Sequence, residues 1–185
     1  YLPTQWGKEL DGSHLELKKH QLEALRSLQT MRDHRETIAL LYHATGTGKT
    51  VTAVMDAKSC GGRVLFLAHT QELVNQATET FRKLWPSVTV GRYMEGIKQP
   101  NAHVVCGNVQ SVALHLDRFK DDAFDYLIVD EAHHAAADTY QKVLSYFKPS
   151  FTLGLTATPE RTDDNKVILD IFKNTAHKLD IQTAV

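Results

Sequence analysis

An α/β domain, with a mostly parallel sheet and helices on both faces, is predicted by three observations. Short apolar runs alternate with stretches of helical apolar spacing along most of the chain, and Gly or Pro falls where many of these segments meet. Two of the apolar runs also deliver chemically loaded residues at their C-terminal ends, the edge where ligands collect in parallel α/β sheets. Such alternation implies right-handed βαβ crossovers. At 185 residues and 42% hydrophobic, the chain can bury one substantial core but has no room for a second domain of similar size.

The elements follow in order. Residues 1–16 show little periodicity and are expected to pack as an extended arm, leaving 17–185 as the folded domain. Leu22, Leu25, Leu28 and Met31 form a helical stripe. Residues 38–42 are an apolar strand, and Val51, Val54 and Met55 begin a helix that ends at Gly61-Gly62. A buried strand is predicted over 64–68, then a helix with Leu73, Ala77, Phe81 and Leu84 on one face, stopped by Pro86. Weaker strand character covers 88–90, and a firmer strand 102–106 precedes a helix carrying Val109, Val112, Ala113 and Leu116. Residues 126–129 read as a strand buried on both faces. Tyr140, Val143, Leu144 and Phe147 mark a helix before Pro149, residues 151–155 a last core strand, and residues 167–172 one more helix.

Composition excludes several classes of protein. With a formal charge of −1, contacts to a polyanion must come from local geometry, not from a globally cationic surface. Cys60 and Cys106 lie far apart without C-x-x-C spacing, which argues against a disulfide framework and for a reducing, cytoplasmic setting. No apolar run approaches the roughly 20 residues that span a bilayer, so no membrane association is expected. His133 and His134 are adjacent, not at H-x-x-x-H spacing, and structural roles are expected of them in preference to zinc binding.

The chemistry concentrates in two segments. The run Ala44-Thr-Gly-Thr-Gly-Lys-Thr50 sits between a strand and a helix, as a phosphate-binding loop must. Gly46 and Gly48 permit close backbone approach, and the turned amides from Thr45 through Thr47 and the helix N-terminus attract anions. Lys49 adds charge near the β and γ oxygens, and Thr50 offers a hydroxyl to Mg²⁺. At the end of a second apolar strand stand Asp130 and Glu131. Paired carboxylates there suit a division of labour in which Asp130 holds Mg²⁺ and Glu131 orients or deprotonates the attacking water. Together the segments predict a nucleoside triphosphate site.

With these elements placed, the chain resembles the first RecA-like domain of a superfamily-2 helicase or translocase. Within that superfamily it is similar to the DEAD/DEAH-like group that includes type III restriction enzyme Res subunits and excision-repair helicases. The resemblance runs over residues 17–161. His43 stands where the strict phosphate-loop pattern has Gly, a departure that points to the superfamily-2 form of the loop. Leu17-Lys-Lys-His-Gln21 resembles the adenine-recognition segment, which implies ATP as the nucleotide, read by Gln21. Lys18 and His20 depart from the usual Arg and aromatic residue.

The run from Phe66 to Gln76, by the same resemblance, implies contacts to nucleic-acid phosphates from His69, Thr70 and Gln76, with Thr70 in place of a common Arg. Gly107-Asn-Val-Gln110 implies a second backbone contact through Asn108 and Gln110. Thr156-Ala-Thr158 resembles the coupling motif, its hydroxyls directed toward His133 as a route from phosphate loss to the nucleic-acid face. The following Pro-Glu-Arg161 tilts the substrate toward DNA over RNA. The resemblance further implies a second RecA-like domain, absent from these residues and supplied by the rest of a longer parent chain. The whole would hydrolyse Mg²⁺-bound ATP to move on, or unwind, nucleic acid. The alternative is a nucleotide-gated switch or remodelling ATPase that does not separate strands.

Overall fold

The computed structural model describes residues 17–43, 46–132 and 138–157; the expected arm over 1–16 and helix over 167–172 lie outside them. A seven-stranded sheet runs in the order β1-β7-β6-β2-β5-β3-β4. Its strands are β1 (Ile38–His43), β2 (Val64–Ala68), β3 (Val90–Met94), β4 (Ile97–Lys98), β5 (Val104–Asn108), β6 (Tyr126–Val129) and β7 (Phe151–Ala157). All neighbours pair in parallel except β3 with β4, an antiparallel hairpin. The helices are α1 (Lys19–Asp33), α2 (Gly46–Cys60), α3 (Gln71–Leu84), α4 (Val109–Leu114) and α5 (Asp138–Tyr146), with a 3-10 turn at Leu116–Arg118.

The near-continuous apolar strands have a simple cause. Strands β1, β2, β5, β6 and β7 are covered on both faces, so their alternate residues enter two different cores. On one side Leu41, Phe66, Ile128 and Leu153 pack with Leu25 and Leu28 of α1, Val54 of α2 and Phe81 of α3. On the other, Leu40, Leu67, Val105, Leu127 and Val129 pack with Val112 of α4 and Val143 and Phe147 around α5. Parallel pairing puts the C-terminal ends of β1, β2, β5, β6 and β7 on one edge of the sheet, where His69 follows β2, Asn108 ends β5 and Asp130 follows β6.

The mostly parallel sheet matches the prediction, while several boundaries differ from it; the last core strand, expected over 151–155, runs to Ala157. The weak strand expected at 88–90 begins only at Val90, because Trp85 to Val88 form a turn after α3, closed by Val88 N–H to Trp85 O at 3.5 Å. The strand expected at 102–106 starts at Val104. Before it, the carbonyls of Pro100 and Ala102 accept from the Arg63 guanidinium at 2.9 and 2.8 Å instead of from a neighbouring strand. The helix after β5 closes at Leu114 and passes through His115 into the 3-10 turn. β4 was not foreseen; it is two residues long and is reached through Glu95-Gly96, where Gly96 takes φ 83°, a backbone region that favours glycine.

Two sets of contacts tie α1, α2 and β6 together. At the far edge, both oxygens of Asp56, fully buried on α2, receive the Arg32 guanidinium of α1 at 2.6 Å, and the Tyr126 hydroxyl of β6 donates to Asp56 Oδ2 at 2.5 Å. At the C-terminal edge, Gln21 of α1 reaches α2, and Lys49 of α2 reaches the end of β6. These elements carry the candidate site.

Candidate nucleotide and nucleic-acid sites

Lys49 lies in the first turns of α2 and is 4% exposed. Its ammonium donates to Glu131 Oε1 at 3.1 Å and stands 3.5 Å from Asp130 Oδ1, bringing together groups that β7 separates in the sheet. Asp130 is also 4% exposed. Its N–H continues the strand by donating to Leu67 O at 2.9 Å, and its Oδ1 accepts from the Glu131 N–H at 2.9 Å. Burial pushes the Asp130 carboxyl above the ordinary range against the pull of Lys49, and the neighbouring Glu131 charge adds to the rise. Glu131 has φ 51°, a left-handed conformation that a non-glycine residue adopts at a cost and that recurs at functional sites. The chain turns sharply out of the strand at this point.

A cavity of about 410 Å³ opens beside these groups. Lys49, Thr50, Asp130 and Glu131 line one part of it; Phe66 of β2 and Leu73, Ala77 and Lys83 of α3 line another. Its size falls within the roughly 300–1,000 Å³ of small-molecule sites. The α3 wall could not be distinguished from core by its apolar spacing. Tyr140 is another residue that sequence reasoning placed only in a helix stripe. Its buried hydroxyl makes no hydrogen bond among the described residues, and burial, with the charges of Asp130 and Glu131, pushes the phenol up.

Gln21 is placed against the phosphate loop. Its Oε1 accepts from Lys18 N–H at 2.8 Å and its Nε2 donates to Gly48 O at 3.2 Å, so it braces α1 against the first turn of α2. Presenting its edge to an adenine requires exchanging those bonds. Gly46 and Thr47 open α2, and Gly48 O also accepts from the Thr52 hydroxyl at 2.9 Å. Thr45, His133 and Thr158 lie outside the described residues, while Thr156 is buried at the end of β7, paired with Tyr42 of β1.

The expected nucleic-acid residues fall in three places. His69, Asn108 and Gln110 line a second cavity of about 410 Å³, over the ends of β2 and β5. Asn108 caps α4 by accepting from the N–H groups of Gln110 and Ser111 at 3.1 and 3.2 Å, and its Nδ2 donates to His69 O at 3.4 Å. Thr70 is exposed and caps α3, its Oγ1 accepting from Leu73 N–H at 3.2 Å. Gln76 instead lines the cavity beside Lys49 and Glu131 and donates to Glu72 at 3.4 Å.

Comparisons with known proteins give the family and the fold. Residues 14–161 match the family model described as type III restriction enzyme, res subunit. The chain is 30% identical over 155 residues to "Putative ATP-dependent helicase IRC3" of Saccharomyces cerevisiae, covering 73% of this chain and 22% of that protein. It is 29% identical over 161 residues to DNA 3′-5′ translocase XPB2 of Sulfurisphaera tokodaii, covering 85% and 34%. Among solved structures, the Sulfolobus solfataricus SWI2/SNF2 ATPase core in complex with dsDNA aligns with a TM-score of 0.69 at 20% identity, over 85% of this chain and 36% of that one. The chain spans 21% to 46% of the length of eight curated relatives. With Lys49 bridging two carboxylates at the C-terminal edge of a parallel sheet, and with residues 14–161 matching the family model, the chain belongs to the type III restriction enzyme res subunit family.

Proposed function

We propose that this chain is the nucleotide-binding domain of an ATP-driven motor that moves on, or separates, nucleic-acid strands, DNA in preference to RNA. The observation that carries this reading is the convergence of Lys49, Asp130 and Glu131 beside an open cavity, with a second polar cavity at the same sheet edge. The DNA preference is supported by the translocase named above and by a similar type I restriction endonuclease subunit of Escherichia coli.

The residues present fit Mg²⁺. Thr50 and Asp130 offer hard oxygen donors on one cavity, and Lys49 sits between the carboxylates where positive charge is favoured. When bound, the metal neutralises charge on the phosphate oxygens. Lys49 stabilises charge developing on the transferred phosphoryl group from a preorganised, buried position. Glu131, turned out of the strand, orients the attacking water and accepts its proton. Gln21 reads the adenine edge once released from Gly48, and Thr156, with His133 and Thr158, relays the state of the site to the nucleic-acid face. A second RecA-like domain from the rest of the protein closes over the nucleotide, so residues 1–185 alone hydrolyse it slowly. A reducing, cytoplasmic location agrees with two free thiols, Cys60 and Cys106. No helix among the described residues is long and apolar enough to cross a membrane.

Glu131→Gln in the full-length protein tests the assignment. The substitution keeps the side chain's shape, so KM for ATP stays near the parent value while kcat falls by about 10²- to 10⁴-fold, the range for loss of a positioned base. Unchanged turnover would remove Glu131 from the chemistry.

A further inference from the structure

The second cavity poses an electrostatic problem. A polynucleotide strand is held largely through its phosphates, yet His69, Asn108 and Gln110 bring no fixed positive charge there, and the Thr70 oxygen already caps α3. Among the described residues that line this cavity, Lys98 is the one lysine or arginine. It is supplied by β4, in the hairpin that sequence periodicity did not reveal.

Lys98 is exposed but held in place. Its ammonium donates to Met94 O at 2.6 Å and lies 5.1 Å from the centre of the Tyr93 ring, opposite which it pairs across the hairpin. Tyr93 is itself fully buried, edge-on to Phe119 with ring centres 5.1 Å apart. The ammonium therefore retains donors for an anion on a support anchored in the core. Glu95, at the turn of the same hairpin, also lines the cavity and opposes an anion there. Leu114, 75% exposed at the end of α4, adds an apolar surface to the same cavity. One positive group, polar amides and one apolar side chain match the parts of a nucleotide unit in a strand better than those of a free inorganic anion.

We infer that Lys98, presented by the β3–β4 hairpin, is the phosphate-contacting cation of the nucleic-acid face, with Leu114 packing on the apolar side of the same nucleotide. This rests on the motor reading above. The test is binding of labelled single-stranded and duplex oligonucleotides to the full-length protein over a series of salt concentrations. Lys98→Ala weakens binding and makes the slope of log affinity against log salt shallower by about 0.7 for a single strand or 0.9 for a duplex, the value for one lost phosphate contact. Lys98→Arg restores the slope, Glu95→Gln tightens binding, and Leu114→Ala weakens binding with the slope unchanged. A Tm within about 2 °C of the parent in all four variants reports intact folding. Wild-type binding with an unaltered slope in Lys98→Ala overturns the inference and leaves the motor reading standing. Absence of salt-dependent binding by the wild-type protein to either oligonucleotide overturns both.

Discussion

Lys49→Met is expected to lower ATP hydrolysis by at least about 10²- to 10³-fold, the cost of removing one preorganised donor to a developing charge. It is also expected to destabilise the fold at neutral pH. Asp130 is 4% exposed, and Lys49 favours its ionised form against burial and the charge of Glu131. Without the lysine, the buried carboxylate loses its compensating partner, a loss worth up to about 3 kcal/mol by comparison with broken buried ion pairs. The Asp130 pKa, already raised, rises further in the variant. The folded state then binds more protons than the unfolded chain, so the variant's stability is retained at acid pH and lost as pH rises through the folded pKa. Urea denaturation at acidic and at mildly alkaline pH checks this, with the larger deficit expected on the alkaline side. Adding Asp130→Asn recovers stability without recovering hydrolysis, which separates the two roles of the lysine.

The second large effect lies at the opposite edge of the sheet. Arg32→Met leaves Asp56 fully buried without its bidentate partner, while among the described residues the Tyr126 hydroxyl remains to serve it. Burial pulls the Arg32 pKa down, but the hydrogen bond and charge of Asp56 outweigh it and leave the guanidinium raised, as expected for a well-matched ion pair. Burial and the same carboxylate push the Tyr126 phenol well above its ordinary value, so the hydroxyl stays a donor. Breaking one side of such a pair costs about 3–5 kcal/mol. For a domain of this size that corresponds to a fall in Tm of roughly 6–20 °C. The Arg32→Met, Asp56→Asn double variant recovers part of the loss, since it no longer buries a bare charge. A Tm within about 2 °C of the parent after Arg32→Met would contradict the clamp.

Much of this architecture was legible in the sequence because parallel strands covered on both faces leave a simple mark. The apolar runs at Val64–Ala68 and Tyr126–Val129 match strands of the same bounds, and Gly61, with φ 79°, ends α2 where the helix was expected to stop. The meeting of Lys49 with Asp130 and Glu131 was legible for a different reason: each stands at a fixed short distance from the end of an apolar strand. The β3–β4 hairpin was not, since two residues give no periodicity and Lys98 carries no strand preference. Nor was the division of the expected nucleic-acid residues. Thr70 is spent on capping α3, and only the packing of α3 on β2 turns Gln76 toward the cavity beside Lys49 and away from the one lined by His69. The Arg32–Asp56–Tyr126 network joins residues far apart in the chain, and each alone reads as an ordinary helix or strand position.

The central claim is that ATP hydrolysis at Lys49, Asp130 and Glu131 is coupled to a nucleic-acid track. The most direct test measures the ATPase rate of the full-length protein alone and with single-stranded DNA, double-stranded DNA or RNA, with Glu131→Gln as the control. Strong stimulation by a DNA polymer, weaker stimulation by RNA, and loss of both in the variant are the expected results. Robust hydrolysis by the wild-type protein that is indifferent to all three polymers would contradict the coupling and reassign the same catalytic site to a protein-directed switch.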